Sequence, residues 1–297
     1  MSQETFGGMF LYRGNAQGIG SSFFPVQAPC SLPTIGGLSE SLVEGFRHER
    51  HDVCIDQVST RAYGYFNEEE KAFETEVVAK VHGARIGKLF KVKHAFVSVT
   101  SRHTLGKTKR LPVQVRFPEH IEFEFAGYPG TVTFHPEILE LDTKAGLLKA
   151  MGGVGFRKRH HERFYRRDSK DPRQLMCAGE QEAVSEVAGY IIYSPVAQIK
   201  WEGTRERGNT IDGHVLTARD YGRCFIGETF RDDHSCRTNL FRFTIGAIEE
   251  KHLNLQNAFK AALTKSFGSV NKAEEESHAD DDMILPAVGT NGVYIPP

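Results

Sequence analysis

KAFETEVVAKVHGARIGKLFKVKHAFVSVTSRH, residues 71–103, decides the fold class. In its first part Phe73, Thr75, Val77, Ala79 and Val81 alternate with Glu74, Glu76, Lys80 and His82. Successive side chains of a strand point to opposite faces, so this pattern describes a strand with one face buried. Gly83 to Gly87 is expected to turn the chain. From Lys88 to Ser101 the alternation resumes, but its phase changes: Phe90 and Val92 come first, then Ala95, Val97 and Val99. One extra residue in a strand has that effect, so a β-bulge is expected near His94.

The period of two extends outward from this stretch. Val113, Val115 and Phe117 alternate with Gln114 and Arg116, and Ile121, Phe123 and Phe125 with Glu122 and Glu124. AGYPG, residues 126–130, then leads into Thr131 to His135 as a hairpin. Strand-like runs return at Val187 to Trp201, His214 to Thr217, Arg223 to Phe230 and Asn239 to Ile245. Two short helices are expected. One is DTKAGLLKAM, capped by Asp142 and ended by Gly152; the other runs from about Leu255 to Phe267, before Gly268. Many strands and few helices predict a mainly β fold, an antiparallel β-sandwich or barrel-like core with extended termini. The chain divides into a Gly- and aromatic-rich arm over 1–40, a β-rich core over 41–268 with a charged loop at about 152–180, and an acidic, then apolar, tail over 269–297.

Formal net charge is −1, so no overall field draws the 297-residue chain to nucleic acid or an acidic membrane. The five Cys form no CxxC pair, which fits reduced thiols and a cytoplasmic setting better than a disulfide framework. The N-terminus lacks a basic segment followed by an apolar one, so no signal peptide is expected. No apolar run reaches the roughly 20 residues that span a bilayer.

No catalytic motif is visible. There is no GxSxG or GxxxxGK[ST], and HGARIG lacks the glycine spacing of a dinucleotide loop. Of the thirteen His, His48 and His51 could share a helical face. The best candidate metal ligands are Cys224, His234 and Cys236, with Asp232 or Asp233, on neighbouring runs that could pair. Their spacing matches no common zinc module and a strand Cys is ordinarily a core residue, so neither metal nor cofactor is expected.

Two charged segments and two apolar ends remain. Arg157, Lys158, Arg159, Arg163, Arg166 and Arg167 belong to a stretch, 157–173, with an excess of five positive charges. Phe156, Phe164 and Tyr165 are interleaved, and basic plus aromatic composition suits nucleic acid. Glu274, Glu275 and Glu276 belong to a stretch, 271–282, of equal and opposite charge. Such segments can neutralise each other within or between chains. Phe6, Phe10 and Tyr294 lie in terminal segments too apolar to rest in water, so both ends are expected to dock.

Four blocks in order, QAPCSLPTIGG (27–37), AKVHGARIGKLFKVKHAFVSVTSRH (79–103), IEFEFAGYPGTVTF (121–134) and HVLTARDYGRCFIGETF (214–230), resemble an uncharacterised family of bacterial hypothetical proteins. The resemblance covers roughly residues 27–250. It implies one cooperative unit and brings no activity, cofactor or site residue.

The leading expectation is a non-catalytic structural protein that self-associates through its termini, its partner another copy of itself. The alternatives are an enzyme of unknown class with a His and carboxylate site in a barrel or between sheets, and nucleic-acid binding through 157–173. Phe123 is expected to point into the core and to contribute about 1.5 to 3 kcal/mol by burial. Phe123→Ala should therefore cost about 3 to 5 kcal/mol of unfolding free energy in urea, cavity included; a cost near zero would place Phe123 on the solvent face.

Overall fold

The computed structural model describes residues 9–21, 24–104, 112–139, 143–151, 191–231, 235–245, 281–291 and 293–295. In chain order the strands are β1 (Met9–Leu11), β2 (Gly14–Gln17), β3 (Gly20–Ser21), β4 (Cys30–Ser31), β5 (Gly37–His48), β6 (Val53–Asn67), β7 (Ala72–Ile86), β8 (Phe90–Thr104), β9 (Val113–Arg116) and β10 (His120–Phe125). They continue as β11 (Tyr128–Phe134), β12 (Ile191–Tyr193), β13 (Val196–Trp201), β14 (Thr210–Asp212), β15 (Val215–Ala218), β16 (Gly222–Arg231), β17 (Ser235–Ile245), β18 (Asp281–Asn291) and β19 (Val293–Ile295). One sheet runs β13-β11-β10-β8-β7-β6-β5 with β9 beside β8; the other runs β14-β15-β16-β17-β18-β2-β4 with β12 beside β16 and β3 beside β18. Every pairing is antiparallel.

The inward residues of the first sheet follow the predicted alternation. Ile121, Phe123 and Phe125 are buried, Glu122 is exposed and Glu124 half-buried. Phe90 lies 4.8 Å, ring to ring, from both Phe241 and Phe243 of the facing sheet. The Ser101 and Thr290 hydroxyls meet at 2.9 Å across the same interface. The core thus sits between the sheets, with β18 against β7 and β8.

Three local expectations need correction. β7 continues through Gly83, and the turn begins only at Gly87. The AGYPG turn is two residues, Ala126 and Gly127, both at positive φ, while Tyr128 to Gly130 already belong to β11. The predicted short helix spans Lys144–Met151, and Thr143 caps it, its hydroxyl accepting from the Gly146 N–H at 3.1 Å. A single helical turn at Pro136–Leu139 precedes it. The helix expected over 255–267 lies outside the described residues. No helix among the described residues is long and apolar enough to cross a membrane.

The predicted bulge near His94 is the most informative correction. The phase change is where the sequence puts it: Phe90 and Val92 point inward before it, Ala95, Val97 and Val99 after it. Yet β8 gains no residue on β7, because His82 pairs with His94 and Ala84 with Val92 in unbroken register. β7 changes phase at Gly83, opposite Lys93; β6 changes at Asp56, and β5 at Gly45. All four strands shift on one transverse row, so two residues never oppose one. Gly45 and Gly83 stand on that row at φ +63° and +61°, a conformation costly for residues with a Cβ. The facing sheet repeats the device at Gly227 (φ +68°), Leu240 and Pro286.

Residues 281–291, which charge and hydropathy set off as part of a tail, form β18, hydrogen-bonded to β17 on one side and to β2 and β3 on the other. Met283 and Leu285 are fully buried. Pro286 is tolerated in this central strand because it falls on the transverse row, where the ladder is already interrupted.

β16 and β17 are buried on both faces. On the face turned from the core, Arg242 grips Glu228 by two hydrogen bonds of 2.7 and 2.9 Å, and its guanidinium lies 3.7 Å from the Phe225 ring centre. Burial alone would raise the Glu228 carboxyl, but the charge and hydrogen bonds of Arg242 outweigh it and hold the group below its ordinary value. Burial pulls the Arg237 guanidinium down to about 10. Glu228→Gln leaves Arg242 without its charge partner and should cost on the order of 3 to 5 kcal/mol at neutral pH. A depressed carboxyl contributes stability above its unfolded value, about 4.3, and loses it as pH falls through the folded value. Between pH 7 and pH 3 the parent should therefore lose more unfolding free energy than Glu228→Gln; equal losses in urea titrations would show the pair is not coupled to folding.

Candidate functional site

Beyond the transverse row, the outward face of the first sheet is set by the second phase. Arg85 on β7, Lys91 and Lys93 on β8, Glu122 and Glu124 on β10, Thr131 on β11 and Lys200 on β13 point away from the core. The segment Glu202–Arg205, a 3-10 turn after β13, closes one end. Between these elements lies an open groove of about 890 Å³. Five cations (Arg85, Lys91, Lys93, Lys200, Arg205) line it against three carboxylates (Glu122, Glu124, Glu202), an excess of two positive charges.

Two ion pairs hold part of this charge. Lys91 meets Glu124 at 2.8 Å, and Arg85 takes both oxygens of Asp52 at 2.7 Å. Both pairs are solvent-exposed and contribute little to stability, roughly 0 to 1 kcal/mol each. The floor is stiffer. Gly130 lies between Phe123 and Trp201 in the ladder, and the Trp201 indole N–H donates to the Phe125 carbonyl at 3.0 Å. A Cβ on Gly130 would run into the Phe123 ring, which closes over the glycine instead.

At the groove's edge stands a histidine pair. His82 and His94 are direct cross-strand partners, both exposed, with Nδ1 atoms 2.7 Å apart. In the next strand Gln57 opposes His82 and donates to Glu44 on β5 at 3.0 Å. The Asp56 carboxylate lies against Gly83, in the space a side chain there would need. Among the described residues no three His, Cys, Asp or Glu side chains converge as a metal cage.

The residues singled out from sequence are distributed differently. Phe10 is buried, stacked on Phe73 at 4.5 Å and edge-on to Tyr12 at 4.8 Å. Tyr294 is its register partner, since β1 and β19 pair as a separate two-stranded sheet. Burial pushes the Tyr12 phenol up to about 12 and the neighbouring His103 imidazole down. Phe6, Arg157, Lys158, Arg159, Arg163, Arg166, Arg167, Glu274, Glu275 and Glu276 lie outside the described residues, as do Asp232, Asp233 and His234. Cys224 and Cys236 do not share a site: Cys236 pairs with Arg231, seven residues along β16 from Cys224. That is about 23 Å at the rise of an extended strand. His48 and His51 do meet, with stacked rings 4.8 Å apart and Nδ1 atoms 3.0 Å apart.

Sequence reasoning missed the groove and the His82/His94 pair. A signal for the pair exists: the two residues lie symmetrically about Lys88, the centre of the hairpin. Placing a bulge at His94 hid it, because a bulge would have offset the partners by one. Gly83→Ala should cost about 1 to 2 kcal/mol from its left-handed φ, and more from displacing Asp56. Adding Asp56→Ala should recover only the second part, as read by thermal melts; full recovery would mean that φ at residue 83 carries no strain.

The model of a family described as a domain of unknown function (DUF8256) matches residues 10–231, three quarters of the chain. No curated protein and no solved structure matches it.

Proposed function

We propose that this chain, which belongs to the DUF8256 family of domains of unknown function, is a non-catalytic structural protein that self-associates, and that β5 is the surface it uses. β5 is the observation that carries this reading. It is 12 residues long, ends its sheet, and pairs in a backbone ladder with β6 alone among the described strands, with the Cys30 thiol of β4 donating to its Ser39 carbonyl at 3.0 Å. Leu38 and Leu42 are 51% and 58% exposed on it, and Ile35, just before it, is 86% exposed. A long edge of open N–H and C=O groups beside exposed leucines is a template for a second strand.

The termini, the first candidates for the contact, are engaged within the chain: β1 pairs with β19, and β18 lies between β17 and β2. An antiparallel β5–β5 contact about a two-fold axis would use one patch twice, the commonest closed symmetry. The two-sheet arrangement also supports a sandwich over a barrel, since β5 and β13 end the first sheet and do not bond to each other.

Sedimentation velocity over a range of concentrations tests this. The parent should exceed the 33.3 kDa of one chain. Leu42→Lys with Ser41→Pro should return it to that mass with an unchanged β-sheet spectrum, because both positions lie on the open edge. A parent that stays at one chain's mass throughout would overturn the proposal and turn attention to ligands of the groove.

A further inference from the structure

We propose that His82 and His94 form an open two-imidazole site for a divalent late transition-metal ion of the nickel or copper class. The case rests on four observations of one row. The side chains are direct partners in an antiparallel ladder, which puts their Cβ atoms roughly 5 Å apart. Both are exposed, so an ion can reach them without opening the fold. Their Nδ1 atoms are 2.7 Å apart with rings at 80°. The strands that hold them are 15 residues each and in register to both sides, so the rings are pre-organised.

The donor atoms select the metal class. With metal–nitrogen bonds of about 2.0 to 2.1 Å, two imidazoles at a right angle stand about 2.9 Å apart, and at a tetrahedral angle about 3.3 Å. The observed 2.7 Å is the length of a hydrogen bond between the rings and lies below both, so an ion enters after a small parting of the rings; imidazole donors suit nickel and copper, which bind nitrogen ligands more tightly than the earlier divalent ions of the row. Two protein ligands leave the remaining positions to water, consistent with the lack of any three-residue cage among the described residues. Asp56 adds negative charge alongside, its carboxylate lying over Gly83, the residue next to His82. An N–H···N hydrogen bond between the rings uses the same two nitrogens, so a bound ion replaces that shared proton. His48 and His51 make the natural comparison. Their Nδ1 atoms are 3.0 Å apart, but the rings are stacked at 9°, so the two nitrogens lie in nearly parallel planes, and an ion in the plane of one ring stands out of the plane of the other.

The probe is Ni²⁺, which Cys54, half-buried and free, does not reduce as it could Cu²⁺. The full-length protein, stripped with chelator, is titrated by calorimetry. The parent should take up one equivalent that His82→Ala and His94→Ala each weaken at least tenfold and His48→Ala leaves unchanged. Ni²⁺ should raise the melting temperature of the parent and not of His94→Ala, with both variants matching the parent's sheet spectrum without metal. Uptake by His94→Ala equal to the parent's, or loss that follows His48→Ala instead, would overturn the site.

Discussion

Gly45, Asp56, Gly83 and Lys93 stand side by side on four neighbouring strands, and the geometry of the first sheet depends on their doing so. Each strand changes face at that row. Had one strand changed alone, its inward residues beyond the row would have faced water, or its partner would have had to bulge. Four aligned changes interrupt each ladder at one pair only and keep the register on both sides of it, with the inward residues still inward. They also reset which residues face solvent, putting Arg85, Lys91 and Lys93 into the groove wall. The left-handed backbone at Gly45 and Gly83 is the local cost, and glycine is the residue that bears it least.

The facing sheet meets the same constraint with different chemistry. Its row contains Gly227 and Pro286, one supplying a positive φ and the other lacking a ladder donor. Because β16 and β17 are buried on both faces, charge must be neutralised inside, and Glu228 with Arg242 does this through two short hydrogen bonds. Such a pair contributes less by its own attraction than by the penalty that follows when either member is missing. It belongs to the architecture, and the groove with its bordering histidines lies on the opposite sheet.

That separation frames the functional reading. One sheet holds the buried Glu228–Arg242 ion pair and has β18 among its central strands. The other presents an open edge, a charged groove and an exposed histidine pair on a single rigid ladder. Association through β5 and metal binding at His82 and His94 would use different parts of that ladder, joined by the row Glu44–Gln57–His82–His94.

The amino-acid order alone determined the mainly β class, the inward set Ile121, Phe123 and Phe125, the β7–β8 hairpin and the site of its phase change, because these follow from alternation between near neighbours in the chain. It also carried the resemblance to an uncharacterised family. It did not reveal β5, whose exposed Leu and Glu residues alternate with half-buried Ser in place of an apolar run and whose alternation breaks at Gly45. Nor did it show that the slip at His94 is shared: one strand's phase change looks the same whether its neighbours bulge or shift with it. Only the tertiary structure decided that, as it decided the separation of Cys224 from Cys236, the pairing of Phe10 with Tyr294, and the place of β18 in the middle of a sheet. Each is a matter of which strand lies beside which, and pairing between distant segments leaves no local period to read.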